Sequence, residues 1–92
     1  MQVKDILNEY RIELDDIRWY LSDKTAIELL AYRERQTELV KFIWSKALED
    51  SLYNMEERFL ADLEEQFEKR QIDEVFLRNL CLECLSLRRK RH

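Results

Sequence analysis

The chain has 92 residues, of which 16 are Lys or Arg, 20 are Asp or Glu, and none is Gly or Pro. Without Gly there is no Gly-rich phosphate loop or dinucleotide-binding fingerprint, and without Pro there is no polyproline ligand segment. With 46% hydrophobic and 39% charged residues, the composition is typical of amphipathic helices and too apolar for a disordered chain. We therefore predict a single all-α domain over residues 1–92, built as a bundle of three or four antiparallel helices.

The sequence also predicts the compartment. No apolar run approaches the about 18 residues that a membrane span requires, and the N-terminus lacks the charged and apolar regions of a secretory signal. Two cysteines, Cys81 and Cys84, are too few for a disulfide framework. We expect a cytoplasmic protein with reduced thiols and no membrane association.

Charge is distributed unevenly along the chain. Residues 1–46 carry 8 basic and 9 acidic groups, residues 47–87 carry 4 basic and 11 acidic groups, and the basic tail 88–92 carries 4 basic groups. These segments contribute −1, −7 and +4, which gives the net charge of −4. The pattern predicts an acidic body with a basic C-terminal tail.

The first periodic segment runs from Val3 to Leu21 and predicts one helix. Apolar residues recur at steps of three and four positions, as on one helical face. Trp19 lies off this stripe, so the helix is expected to contact two neighbours. Asp15 and Asp16 are expected to be solvated.

A second helix is predicted from Ala26, because Thr25 and Glu28 match a capping box. Its continuation is ambiguous near residue 50. An unbroken helix over residues 26–69 would be about 66 Å long and would need a partner chain to cover its apolar face. A break at residue 50 would instead allow a compact bundle, and we favour the break slightly.

The last helix is predicted to start at Asp73, which favours an N-cap, after the staple residue Ile72. From Asp73 to about Lys90 this helix is apolar around most of its circumference, which predicts burial in the core or in an interface. We predict a homodimer formed through this helix. The residues expected to carry self-association are Leu77, Leu80, Cys81, Cys84, Leu85 and Leu87.

The chemical signals are weak. Cys81 and Cys84 form a CxxC string in the middle of a helix, whereas redox CxxC pairs lie at a helix N-terminus. Zinc would need two more N or S ligands, and the single histidine is the last residue, His92. We interpret the two cysteines as core residues; a metal or a disulfide shared by two chains is the alternative. The carboxylates lack an ordered catalytic arrangement, so we predict no enzyme activity and no cofactor.

Two further features are candidates for partner contact. The tail residues Arg88, Arg89, Lys90 and Arg91 are candidates for contact with anions, or they serve only to complement the helix dipole. A third interpretation pairs the tail with the acidic stretch of residues 56–68. Trp19, and Tyr32 in a polar stretch, are candidate anchors for a partner, because interfaces favour exposed aromatic side chains.

These features predict a non-catalytic protein that acts by helix-to-helix contact as an adaptor, assembly factor or inhibitor. Its expected partners are a second copy of itself and another protein. The alternative is a small helical protein associated with nucleic acid through its basic tail.

Overall fold

A computed structural model describes residues 1–22, 34–50 and 53–91 of the chain. These residues form five helices: α1 (Val3–Glu9), α2 (Leu14–Ser22), α3 (Glu34–Asp50), α4 (Met55–Glu68) and α5 (Glu74–Arg91). No strand occurs among them, so the all-α class is confirmed. The predicted capping box at Thr25 and the candidate anchor Tyr32 lie outside the described residues.

The prediction of one helix from Val3 to Leu21 was wrong, because the chain turns between α1 and α2. Arg11 adopts a left-handed backbone conformation with φ of 57°. Its N–H donates to the Asn8 carbonyl at 3.1 Å, and the Ile12 N–H donates to the Leu7 carbonyl at 2.8 Å. These two bonds are those of a Schellman C-cap, in which Gly usually takes the left-handed position. Since the chain has no Gly, no local residue pattern predicted this helix end.

The start of α2 is capped by Asp16, whose side chain was predicted to be solvated. Asp16 is only 8% exposed, and its carboxylate accepts a hydrogen bond of 2.9 Å from the Glu13 N–H. A carboxylate at this position satisfies a backbone donor that has no partner within the helix. The expectation of a solvated Asp16 was therefore wrong, whereas Asp15 is exposed as expected.

Near residue 50 the structure has two helices. Helix α3 ends at Asp50 and α4 begins at Met55, after bends at Tyr53 and Asn54. The two helices pack together, with the rings of Trp44 and Phe59 edge to face at a centroid distance of 5.2 Å. The long continuous helix over residues 26–69 is thus excluded. Because the first predicted helix is also divided into α1 and α2, the described residues form five helices, whereas three or four were predicted.

A second Schellman turn separates α4 from α5, again with an arginine in the left-handed position. Arg70 has φ of 59°, and the Gln71 N–H donates to the Gln66 carbonyl at 2.9 Å. The Asp73 carboxylate then accepts a hydrogen bond of 2.7 Å from the Phe76 N–H, which confirms Asp73 as the N-cap of α5. Gln36 of α3 bonds both the carboxylate and the N–H of Asp73 at 2.9 and 3.0 Å.

The core is one cluster to which all five helices contribute. Helix α5 packs against α1 and α2, and α4 packs against α1 and α3. Five side chains of α5 are almost completely buried in this cluster: Phe76, Leu77, Leu80, Cys81 and Cys84. Helix α5 is therefore a central element of a single chain, and this position decides which of its faces remain open.

Candidate interaction surface on the last helix

Most of the residues predicted for self-association lie inside the chain. Leu77, Leu80, Cys81 and Cys84 are each at most 1% exposed. Leu85 and Leu87 are half-buried and pack against the same core. The four buried side chains cannot reach a second chain in this fold, so their assignment to an interface was wrong. The physical reason is that α1 and α2 cover the side of α5 on which they lie.

The two thiols are protected by the same burial. Removal from water raises the pKa of the Cys81 thiol from its ordinary value of 9.0 to about 12, although the charge of Arg78 opposes the shift. Burial, and then the neighbouring Cys81, raise the pKa of Cys84 as well. Both cysteines are free. A buried thiol with a raised pKa is a poor nucleophile, because the thiolate is the reactive form.

We expect neither thiol to react quickly with an aromatic disulfide reagent at pH 8 in the folded protein. In denaturant, two thiols per chain should react at once. The same burial predicts that stability falls above about pH 9, because the unfolded chain then loses thiol protons that the folded chain retains, by up to about 1.4 kcal/mol per pH unit for each thiol. Rapid native-state reaction, together with alkaline stability equal to that of a Cys81→Ala, Cys84→Ala double variant, would contradict the buried placement.

The first arginine of the basic tail has an intramolecular partner. Arg88 forms an ion pair with Asp16 on α2, with Nε at 3.2 Å from Oδ1. Its Nη2 also donates to the carbonyl of Arg11 at 3.1 Å. The hydrogen bond with Asp16 raises the pKa of Arg88 above its ordinary value. Arg88 therefore fastens α5 to the α1–α2 turn, and its assignment as a free contact for anions was wrong.

The rest of the tail differs from Arg88. Arg89 is exposed and makes no ion pair with the part of the chain that the structure describes. The side chains of Lys90 and Arg91 lie outside that part. Contact with nucleic acid through these three residues stays a prediction, and it no longer includes Arg88, which pairs with Asp16.

The open face of α5 carries apolar side chains that the sequence analysis did not single out. Val75 is 55% exposed and Leu82 is 51% exposed, and the exposed Arg89 follows at the same interval of seven residues. Seven residues are close to two helical turns, so the three side chains lie on one line. We call the line of Val75, Leu82 and Arg89 the open stripe of α5. The spacing of seven residues is visible in the sequence and could have predicted this stripe.

A charged cluster borders the first turns of the open stripe. Arg78 is paired with Glu9 of α1 and with Glu74 at 3.3 Å, and its guanidinium lies 5.8 Å from the ring centre of Tyr10. Hydrogen bonding to Tyr10 and then to Glu9 raises the pKa of Arg78 above its ordinary value. The cluster ties α1 to α5 and leaves the Glu74 side chain 48% exposed beside Val75.

Other apolar or aromatic side chains are exposed singly. Trp19 on α2 is 52% exposed and remains a candidate partner anchor. On α3, Phe42 and Leu48 are 59% and 47% exposed. They are six residues apart, which places them on different sides of the helix. The open stripe is thus distinguished from them by the alignment of its two apolar residues.

An acidic depression lies between α1 and α4. The lining combines the apolar Leu60 and Ala61 with Lys4 and with glutamates of α4. One of them, Glu64, accepts a hydrogen bond of 2.9 Å from the Lys4 N–H, and Glu65 pairs with Lys69 at 3.0 Å.

Within residues 1–22, 34–50 and 53–91, no group of three or more His, Cys, Asp or Glu side chains is placed to hold a metal ion. None of the described helices is long and apolar enough to cross a membrane.

Comparisons of this chain with protein-family models, with curated proteins and with solved structures give no match. The candidate site therefore stands on the geometry of α5 alone.

Proposed function

We propose that this chain is a non-catalytic interaction protein that acts by helix-to-helix contact, as an adaptor, assembly factor or inhibitor, and that it associates with itself through α5. The observation that carries the proposal is the pair of exposed apolar side chains, Val75 and Leu82, aligned on the open face of an otherwise buried helix. Aligned apolar residues on an exposed helix face are the usual anchors of helix-to-helix recognition.

The proposal keeps the helix that the sequence indicated for self-association but changes its face. The buried side of α5 holds the chain together, so we assign the partner contact to the open stripe. Complete burial of a Val or Leu side chain contributes about 1.5–3 kcal/mol, and these two side chains are already half covered. We therefore expect self-association with a dissociation constant in roughly the micromolar range or weaker.

Two observations support the non-catalytic part of the proposal. The thiols of Cys81 and Cys84, the strongest nucleophiles of the described residues, are buried and have raised pKa values. The only histidine of the chain is the terminal residue His92, so no internal imidazole is present to act as a general base. We also propose a cytoplasmic location, where unpaired cysteines stay reduced.

The test is a matched pair of substitutions on exposed leucines. Leu82→Glu should shift the solution mass from twice 11.4 kDa to 11.4 kDa at protein concentrations where the unmodified chain is dimeric. Leu48→Glu, on α3 and of nearly equal exposure, should leave the dimer intact. Light scattering after size exclusion measures the mass, and circular dichroism checks that both variants keep their helices.

Three results would count against the proposal. A monomer for the unmodified chain at several hundred micromolar would remove self-association. Equal loss of the dimer in both variants would point to a general solubility effect, and loss only with Leu48→Glu would move the interface to α3.

A further inference from the structure

The acidic depression between α1 and α4 is one part of a longer groove. A second depression, lined by α1, by the start of α2 and by α4, shares Lys4 and Leu60 with the first. The two are therefore continuous, with volumes of about 380 and about 460 Å³. We call them together the acidic groove. Its lining on α4 extends from Glu56 to Glu68, a length of about 18 Å at 1.5 Å per residue.

Part of the lining of the acidic groove is apolar. Leu60 and Ala61 of α4 contribute to it, together with Leu7 of α1 and Leu14 of α2. Leu14 and Leu60 are half-buried, and Ala61 is exposed. Apolar surface in the groove thus remains in contact with water, and covering it with an apolar partner is favourable.

Carboxylates outnumber every other charged group in this lining. Seven acidic residues and one basic residue, Lys4, line the groove, which gives a net charge of −6. The whole chain has a net charge of −4, so the remaining residues together carry +2. The negative charge of the chain is therefore concentrated at the groove, where it attracts cations. The seven acidic residues are Glu13, Asp15, Glu56, Glu57, Glu64, Glu65 and Glu68.

The chain neutralises only some of these carboxylates. Asp15 and Glu65 each form an exposed ion pair within their own helix or just after it, and such exposed pairs contribute little free energy. Glu56, Glu57 and Glu68 are exposed and make no ion pair with residues 1–22, 34–50 and 53–91. Their charges are available to a partner.

The walls of the groove are already joined in the free chain. Glu64 of α4 accepts a hydrogen bond of 2.9 Å from the N–H of Lys4 on α1. Glu57, Ala61, Glu64 and Glu68 follow one another at steps of four, three and four residues, which places them on one face of α4. Carboxylates and apolar surface are thus arranged in the groove before a partner arrives, and such preorganisation lowers the cost of binding.

We infer that the acidic groove binds a basic amphipathic helix of a partner protein, in which lysines or arginines flank an apolar stripe. The stripe covers Leu60 and Ala61, and the flanking cations pair with the glutamates of the lining. Binding of an amphipathic helix in a groove is a recurring mode of recognition, and the opposite charges supply its specificity. A length of 18 Å accommodates about 12 helical residues. The inference goes beyond self-association through α5, because no residue of the open stripe lines this groove.

The experiment measures the dissociation constant of a synthetic fluorescent peptide by anisotropy. The probe is a peptide of about 14 residues with leucines at helical spacing and lysines on both sides of them. The control peptide has the same composition in a scrambled order. We expect the amphipathic peptide to bind about tenfold more tightly, since the scrambled peptide keeps the charge but loses an apolar stripe worth at least one leucine side chain. Equal affinities would overturn the inference.

Glu68→Lys and Glu49→Lys form a matched pair of protein variants. Both change the net charge equally, and both replace an exposed residue in the last turn of a helix, where a lysine is favourable to the helix dipole. Only Glu68 is in the lining of the groove. Glu68→Lys should weaken peptide binding about three- to tenfold, because repulsion replaces an ion pair. Glu49→Lys should change it by less than about twofold. Equal effects would overturn the placement in the groove.

Two further variants identify other occupants and other surfaces. Leu82→Glu on the open stripe should leave peptide binding unchanged, and its loss in this variant would move the peptide to α5 and overturn the inference. The triple variant Arg89→Gln, Lys90→Gln, Arg91→Gln should bind the peptide as the unmodified chain does. If only the triple variant binds it, the basic tail of the chain occupies the groove, and the assignment to a partner is overturned. Absence of binding to every form of the chain would overturn it as well.

Discussion

Replacing Leu80 with alanine is expected to lower the free energy of unfolding by about 2–5 kcal/mol. Leu80 is 1% exposed and lies in the core cluster, so the substitution removes buried apolar contacts and leaves a cavity. A domain of this size has a total stability of about 5–14 kcal/mol, so the loss is a large fraction of it. Urea unfolding followed by circular dichroism measures the difference.

The matched control is Leu82→Ala, two positions further along the same helix. Leu82 is 51% exposed, so its truncation in the monomer should change the free energy of unfolding by less than about 1 kcal/mol. Leu80→Glu should unfold the chain, since it buries an unpaired carboxylate, whereas Leu82→Glu should fold and alter only association. Similar losses for Leu80→Ala and Leu82→Ala at concentrations where the chain is monomeric would contradict the assignment of α5 faces.

This pair of leucines also shows how far the sequence could specify α5. The N-cap at Asp73 and the apolar character of the helix follow from local patterns, and the structure confirms the cap. The sequence did not separate the buried line through Leu80 from the open line through Leu82, because apolar residues occur on nearly all sides. The position of α2 and α1 against the helix makes that choice, and a single-helix pattern does not contain it.

The two Schellman turns illustrate a different limit. Positive φ at Arg11 and Arg70 occupies a conformation that is unfavourable for residues with a Cβ and is usually taken by Gly. Local sequence preferences therefore favour continuing the helix through Arg11. Tertiary contacts override that preference: Ile12 is buried in the core, and the carbonyl of Arg11 accepts a hydrogen bond from Arg88.

The candidate site was only partly readable for the same reason. The pairing of Asp16 with Arg88 joins residues 72 positions apart, and neither residue has a local feature that announces the other. The basic tail was correctly recognised as a run of charge, but its division into a structural Arg88 and an exposed Arg89 depends on the neighbour of each side chain. A run of charged residues in the sequence therefore does not show which of its members can contact a partner. The fold shows this, because it reveals which side chains are already paired within the chain.

Replacing Asp16 with alanine is expected to lower the free energy of unfolding by about 2–3 kcal/mol. The carboxylate caps α2 through the Glu13 N–H and pairs with Arg88, so the substitution removes both interactions. Loss of a helix cap costs about 1 kcal/mol. Loss of one partner of a fully buried ion pair costs about 3–5 kcal/mol. The second contribution is smaller here, since the Arg88 side chain is 32% exposed.

Asp15 and Arg89, which neighbour the two members of this ion pair in the sequence, provide matched controls. Asp15→Ala should have little effect, because the one ion pair of Asp15 within the described residues is an exposed one with Arg18 at 3.8 Å. Arg89→Gln should likewise leave the free energy of unfolding nearly unchanged, while Arg88→Gln lowers it. In a double-mutant cycle, Asp16→Ala and Arg88→Ala should be less destabilising together than the sum of their separate effects, with a coupling of about 1 kcal/mol. Strict additivity, or an Asp15→Ala loss equal to that of Asp16→Ala, would contradict a fastening contact between α5 and the α1–α2 turn. If the coupling is found, Arg88 holds the end of α5 to its own chain. Of the two tail arginines whose side chains the structure describes, Arg89 is then the one that can contact a partner.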